Sequence, residues 1–175
     1  MTVKSIKTIV LCLITAAFAP LLFACSSSAS TEYGTLVINE VVSSNSRSLV
    51  DETLGTPDWI ELYNAGTAPI DLTGYGVSDN MRKLHKFVVP DGTILGAGEY
   101  LLLYATNSAD VTDPNPMVTN FGLSKSGDYI FITDSYFGLV AQMEVPPLYT
   151  DISYARAADG TYGYSGTPTP GAENT

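Results

Sequence analysis

A single imidazole, His85, would have to serve any histidine-dependent nucleophile in this chain, because both cysteines, Cys12 and Cys25, sit close to its start. His85 follows Lys83 and precedes Lys86 in an expected strand, with no serine–histidine or cysteine–histidine motif around it, and reads as a surface histidine. Paired carboxylates could carry glycosidase chemistry, but with 18 acids against 8 bases, acids scattered over loops are expected. No nucleophile and base can be picked out as a pair, so the sequence points away from an enzyme. Calcium, which wants roughly six to eight oxygens, is the one cofactor left open. Asp110, Asp113 and Asn115 share a polar loop, and Asp79 and Asn80 share a turn. Neither group follows a spaced calcium-loop pattern, so a solvated acidic loop is the simpler reading, with no metal or other cofactor. Four of the eleven tyrosines, Tyr136, Tyr149, Tyr162 and Tyr164, lie in or near turns. There they would stack on sugars, anchor a protein interface, or cap the edges of the fold. Arg156 is expected to be buried against a carboxylate, with Asp58 or Glu61 as partner.

Cys25 has the most telling neighbours. Lys4 and Lys7 begin the chain, a mostly apolar run from Ile9 to Phe23 follows, broken by Thr15 and Pro20, and Leu22-Phe23-Ala24-Cys25 closes it. This is the layout of a secretory signal peptide, and a small residue before cysteine with leucine three positions ahead of it resembles the lipobox of bacterial lipoproteins. The resemblance implies that residues 1–24 are removed and that Cys25 becomes the first mature residue, carrying a diacylglyceryl thioether. The apolar run falls short of the ~20 residues that span a bilayer, and the lysines keep the start of the chain inside, so the domain faces out of the cytoplasm. Removing Lys4 and Lys7 leaves 18 acids against 6 bases, a net charge of −12. That charge argues against nucleic acid and allows contact with cations or basic partners. No cysteine follows Cys25, so the domain must stand on its own core.

The elements that position these residues are short strands. Pro57 to Asn64 holds the only tryptophan and places Trp59, Glu61 and Tyr63 on one side, with Asp58, Ile60, Leu62 and Asn64 on the other. Each side mixes apolar and polar groups, so the pattern does not say which one faces the core; the Trp59 ring and the Ile60/Leu62 pair are both buried if two layers sandwich the strand. Further strands are expected over Thr35–Val42, where Glu40 breaks the apolar face, over Ile70–Val77, and over Lys83–Val89. Glu99–Ala105, the most continuous apolar run, is expected to be central; residues 106–119 make the longest loop. Asn120–Ser124 is a short strand or edge, Asp128–Thr133 and Leu139–Val145 flank the hairpin loop Asp134–Gly138, and Asp151–Arg156 is the last strand before an extended tail over 166–175. About seven to nine short strands with turn signals between them fit an immunoglobulin-like β-sandwich. The expected division is a leader over 1–24, a lipidated cysteine and polar tether over 25–34, and one sandwich over 35–175.

An ordered set of landmarks runs through that sandwich: Val37-Ile38-Asn39-Glu40, Asp58 to Asn64, Ile70 to Tyr75 with Ser78-Asp79, Phe87 with Pro90-Asp91-Gly92, Asn120 to Leu123 with Ser126-Gly127-Asp128, Ser153 to Arg156 with Asp159-Gly160, and Pro168 to Asn174. Together they resemble the lamin tail domain, an immunoglobulin-like module of nuclear lamins and of secreted bacterial proteins. The chain departs from it at Ala155, where bacterial members often have glycine, and over 106–119, which matches nothing. The resemblance makes Trp59, Glu61, Tyr63, Asn64, Gly74, Tyr154, Arg156, Asp159, Pro170 and Gly171 structural landmarks and supplies no catalytic residue. It implies a binding or tethering module, and with the lipobox-like leader the expectation is a lipid-anchored protein of the cell envelope that binds, scaffolds or adheres, with the membrane and an unknown protein or glycan as partners. One variant reading is a surface glycan-binding module using tyrosines; another is an accessory subunit tethering a secreted hydrolase. Cys25→Ala should leave a larger precursor that no longer fractionates with membranes, and unchanged size and fractionation would remove the lipidation reading.

Overall fold

β-Branched and aromatic residues concentrate in short runs that favour a pleated, half-buried backbone, and these runs become strands. The computed structural model describes residues 30–32, 34–107 and 117–175. The leader, Cys25, and the calcium candidates Asp110, Asp113 and Asn115 lie outside the described residues. In chain order the strands are β1 (Ser30–Glu32), β2 (Leu36–Val42), β3 (Asp58–Asn64), β4 (Ile70–Asp71), β5 (Gly76–Ser78) and β6 (Phe87–Val88). Then follow β7 (Ile94–Leu95), β8 (Tyr100–Ala105), β9 (Asp128–Thr133), β10 (Leu139–Val145), β11 (Ser153–Arg156) and β12 (Tyr162–Ser165).

One sheet has the order β1-β10-β9-β5-β6 and the other β12-β11-β2-β3-β8, while β4 and β7 form a separate two-stranded ribbon. The inner faces meet in one apolar core: Ile38, Val41, Ile60, Leu62 and Leu103 from the second sheet pack with Val77, Ile130, Ile132 and Met143 from the first. This is an immunoglobulin-like β-sandwich, built with no helix among the described residues.

The second sheet is covered on its outer face as well. β2 is buried along its whole length, and Trp59, on the outer side of β3, is fully buried with its Nε1 donating to Ser48 Oγ at 3.2 Å. A β-bulge explains how Glu40 fits. The β2–β3 register pairs Ile38 with Leu62 and then jumps to Glu40 with Glu61, leaving Asn39 as the extra residue. Without it Glu40 would follow Ile38 into the apolar core; with it Glu40 turns to the face of Glu61 and Trp59, while Val41 stays inward.

Several sequence expectations are corrected. β8 is not central but lies at the sheet edge; its far side is capped by a parallel bridge from Tyr104 to Val118, with Tyr104 N donating to Met117 O at 3.0 Å. The Ile70–Val77 run splits into β4 and β5, because Gly74 takes a left-handed turn at φ 74°. Lys83–Lys86 is a turn, tied by Ser78 Oγ to Lys83 O at 2.7 Å, so His85 sits in a loop rather than a strand. Asn120–Ser124 is not a strand. β11 is not last, for β12 pairs with it. Ser30–Glu32, expected within the polar tether, pairs with β10 as an edge strand.

Leu62→Ala, which empties a fully buried site between the sheets, should cost ~2–5 kcal/mol of unfolding free energy in urea titration. Ile94→Ala, at a side chain 55% exposed, should stay within about 0.5 kcal/mol.

Candidate functional site

Two carboxyls and a strap. The bulge at Asn39 sets Glu40 opposite Glu61 on the outer face of the central strands, and both side chains are fully buried. Buried carboxyls need donors, and residues 169–174 bring them. Thr169 donates to Glu40 Oε2 from its backbone N at 3.0 Å and from its hydroxyl at 3.3 Å. Gly171 N donates to Glu61 Oε2 at 2.5 Å, and Asn39 Nδ2 donates to Glu61 Oε1 at 2.8 Å. Gly171 stands at φ 79°, a left-handed turn that lets the backbone come that close. Pro170 fixes the chain between these two donors and holds Thr169 extended. Asn174 pins the strap, donating to Arg156 O at 2.9 Å and Asn39 O at 3.1 Å while accepting from the Thr169 hydroxyl at 2.9 Å.

Burial dominates the electrostatics. Desolvation pushes the Glu61 carboxyl up to about 7; the Gly171 and Asn39 bonds pull it back in part, and the Glu40 charge adds to the rise. Glu40 is raised as well, chiefly by burial, against the lowering influence of Ser153 and Thr169. Ser153 Oγ and Glu40 Oε1 are both buried and fall short of full hydrogen-bond geometry with each other. An acid facing an acid is the raw material of proton transfer, but the strap seals this pair from solvent. It is a closure, not an open site.

The other landmarks frame that closure. Of the carboxyls named beside Arg156 in the sequence, Asp58 Oδ1 accepts from Asn45 N at 2.9 Å and Glu61 takes the strap, while the charge of Arg156 helps to lower Asp159. Asp159 is held down mainly by the hydroxyl and backbone N of Thr161. Tyr63 stacks on Tyr100 with centroids 4.7 Å apart, and both line a polar cleft of about 280 Å³ with Arg156 and Asn174. Asn64 Nδ2 ties the turn after β3 by donating to Ala68 O at 2.8 Å. Gly74 N donates to Val89 O at 3.0 Å. Tyr154 is buried between Tyr162 and Tyr164, each 5.8 Å away by centroid. Glu40, Asn39 and Thr169 carry the closure, and the signal for Glu40 was an acid inside an otherwise apolar strand.

The tyrosines separate. Tyr162 is half-buried and donates its hydroxyl to Ile38 O at 2.6 Å, and Tyr136 sits on the β9–β10 hairpin, 89% exposed. Tyr149 and Tyr164, 83% and 62% exposed, come together over a cleft of about 820 Å³ walled by Pro147, Leu148 and Ile152, with Lys125 at its side. The cleft lies where β9 begins and β10 ends, since Asp128 pairs with Val145. Of the turn offered for calcium, Asp79 Oδ1 is occupied by Lys86 Nζ at 2.6 Å.

Comparison with protein families matches residues 29–146, about two thirds of the chain, to the Lamin Tail Domain. Comparison with curated proteins gave no match. The matched span covers β1 to β10, and the strap falls beyond it.

The acid pair sets a pH dependence. Folded, Glu61 keeps its proton up to about 7; unfolded, it ionises near 4.5. The folded state binds more protons across that window, so stability falls as pH rises through it, and Glu40 acts in the same sense. Asp71, Asp151 and Asp159, all lowered, act the other way only below their ordinary 3.8. The Tm should therefore drop by several degrees between about pH 5 and pH 7.5, and Glu61→Gln should flatten most of that slope. An unchanged slope in Glu61→Gln would remove the pair as its source.

Proposed function

This chain belongs to the lamin tail domain family, and we propose that on this scaffold it works as a non-catalytic binding module, held at the outer face of a cell membrane by a lipid on Cys25. The leader layout ending at Cys25 supports the anchor. Two acyl signals or more hold a protein on a membrane for long periods. The immunoglobulin-like fold supports interaction rather than catalysis. The observation that carries the reading is the pair of exposed tyrosines, Tyr149 and Tyr164, standing over one apolar-walled cleft. Rings left this exposed gain the fold little, while at interfaces tyrosine brings large contact area, few rotamers and a polar tip.

A protein partner fits the cleft best, because Pro147, Leu148 and Ile152 give it an apolar wall. Cross-linking on intact cells, followed by purification of the lipidated protein and mass spectrometry, should capture one dominant protein. Tyr149→Ala/Tyr164→Ala should reduce that capture at least tenfold without changing membrane fractionation. A captured hydrolase would make the protein an accessory subunit. Capture unaffected by the double substitution would move the partner off the cleft, and retained sugar without protein would turn the reading toward glycan adhesion.

A further inference from the structure

The stretch Met81-Arg82-Lys83-Leu84-His85-Lys86 concentrates positive charge on a strongly acidic chain. It holds three of the six basic residues outside the leader and the only histidine. Lys86 is spoken for, bound to Asp79 at 2.6 Å and set over the Phe121 ring at 5.1 Å. Arg82 and Lys83 are exposed, and among the described residues their side chains make no hydrogen bond or ion pair. Their backbone is fixed nonetheless, with Arg82 N donating to Asn80 Oδ1 at 2.9 Å and Lys83 N to Asn80 O at 2.9 Å.

Beside these cations stands the β9–β10 hairpin. Its Asp134 is turned inward on its own loop, accepting from Tyr136 N and Gly138 N at 2.8 Å each. The loop holds Phe137 at φ 67°, a left-handed backbone that is unfavourable for a side-chain-bearing residue. The strained residue is a ring 60% exposed, stacked on His85 at 3.9 Å between centroids, with His85 Nε2 3.2 Å from Asp134 O. Met81, 71% exposed, lines one shallow depression with the stack, and Tyr136, 89% exposed, directly precedes Phe137 in the hairpin. Strain kept to present an aromatic surface to water calls for a reason outside the fold.

The strand register puts this surface far from the tyrosine cleft. β1 runs from Ser30, opposite Met143, to Glu32, opposite Ala141, and therefore toward the hairpin. The chain enters near the cleft, and the hairpin is the opposite pole.

We propose that this pole binds an acid-bearing saccharide, with Arg82 and Lys83 pairing with its carboxylate or sulfate and the Phe137–His85 stack and Tyr136 receiving its sugar rings. Pyranose rings present flat C–H faces that pack on aromatic faces, and Arg and Lys supply charge-assisted bonds to acid groups. The surrounding charge sharpens the choice. The excess of acids over bases repels a polyanion from the rest of the surface. Two cations beside an aromatic platform suit one or two acid groups carried on sugar rings, whereas nucleic acid calls for a basic stripe that follows its phosphates. The pole acts whatever fills the cleft.

The test uses the full lipidated chain in detergent, titrated with alginate (a polyuronate), heparin (a sulfated glycan), dextran, polyglutamate and oligo(dT). Alginate or heparin should bind and dextran should not, the stronger of the two naming the acid group. Arg82→Gln/Lys83→Gln should weaken binding at least tenfold. Phe137→Gly, which relieves the backbone while removing the ring, should weaken it severalfold. Tyr149→Ala/Tyr164→Ala should leave it unchanged, so that failure here and failure of the cleft are told apart. The proposal is overturned by no binding to either saccharide, by stronger binding to polyglutamate or oligo(dT), by indifference to the Arg82/Lys83 substitution, or by loss in the tyrosine variant.

Discussion

Two glutamates facing each other across the central strands, stripped of water, set the terms for much of this domain. Like charges buried side by side cannot both ionise freely, and each carboxyl oxygen needs a donor that water would otherwise supply. The bulge at Asn39, the left-handed Gly171 and the proline between Thr169 and Gly171 all serve that need. The outer face of the sheet is thus closed by polar groups rather than by a third apolar layer. Specific donors fix one register of the strap, whereas a greasy face would accept several. Uniqueness, more than raw stability, is what such a network gives a fold.

Much of the fold was legible because alternation is a local signal. β2, β3, β9 and β10 and the turn between the last two could be read directly from residue type and spacing. What failed was information carried by neighbours. Glu99–Ala105 is apolar enough for a central strand, yet its place at the edge depends on Val118 covering it. Tyr162-Gly163-Tyr164-Ser165 resembles a turn in composition and becomes a strand only because β11 lies beside it. The turn at Lys83–Lys86 depends on Ser78, five residues from Lys83 and pointing at its carbonyl.

The functional surfaces were legible as residue types and not as places. Exposed tyrosines stood out in the sequence, but Tyr149 and Tyr164 become a pair only through the β11–β12 hairpin, and Tyr162, two residues from Tyr164, turns inward to Ile38. Arg82 and Lys83 are adjacent in sequence, whereas Phe137 reaches His85 from more than fifty residues away. The acid at position 40 interrupted a pattern, and the interruption was the signal; its partner at position 61 stood out as a landmark but not as one of a facing pair. Family membership shares a scaffold across many tasks, and here the features that differ from one end of the sandwich to the other carry the individuality.

The strap also orders events in time. Thr169 and Gly171 meet carboxyls that precede them by 129 and 110 residues, so the closing contacts join the ends of the described chain. Contacts of such long sequence separation form slowly, and as synthesis proceeds the two strands that carry the acids, β2 and β3, are made well before the segment that covers them. Until then the glutamates stay hydrated and ionised, and their mutual repulsion works against early locking of β2 on β3. The strap is thus a late cover for carboxyls that lie far ahead of it in the chain.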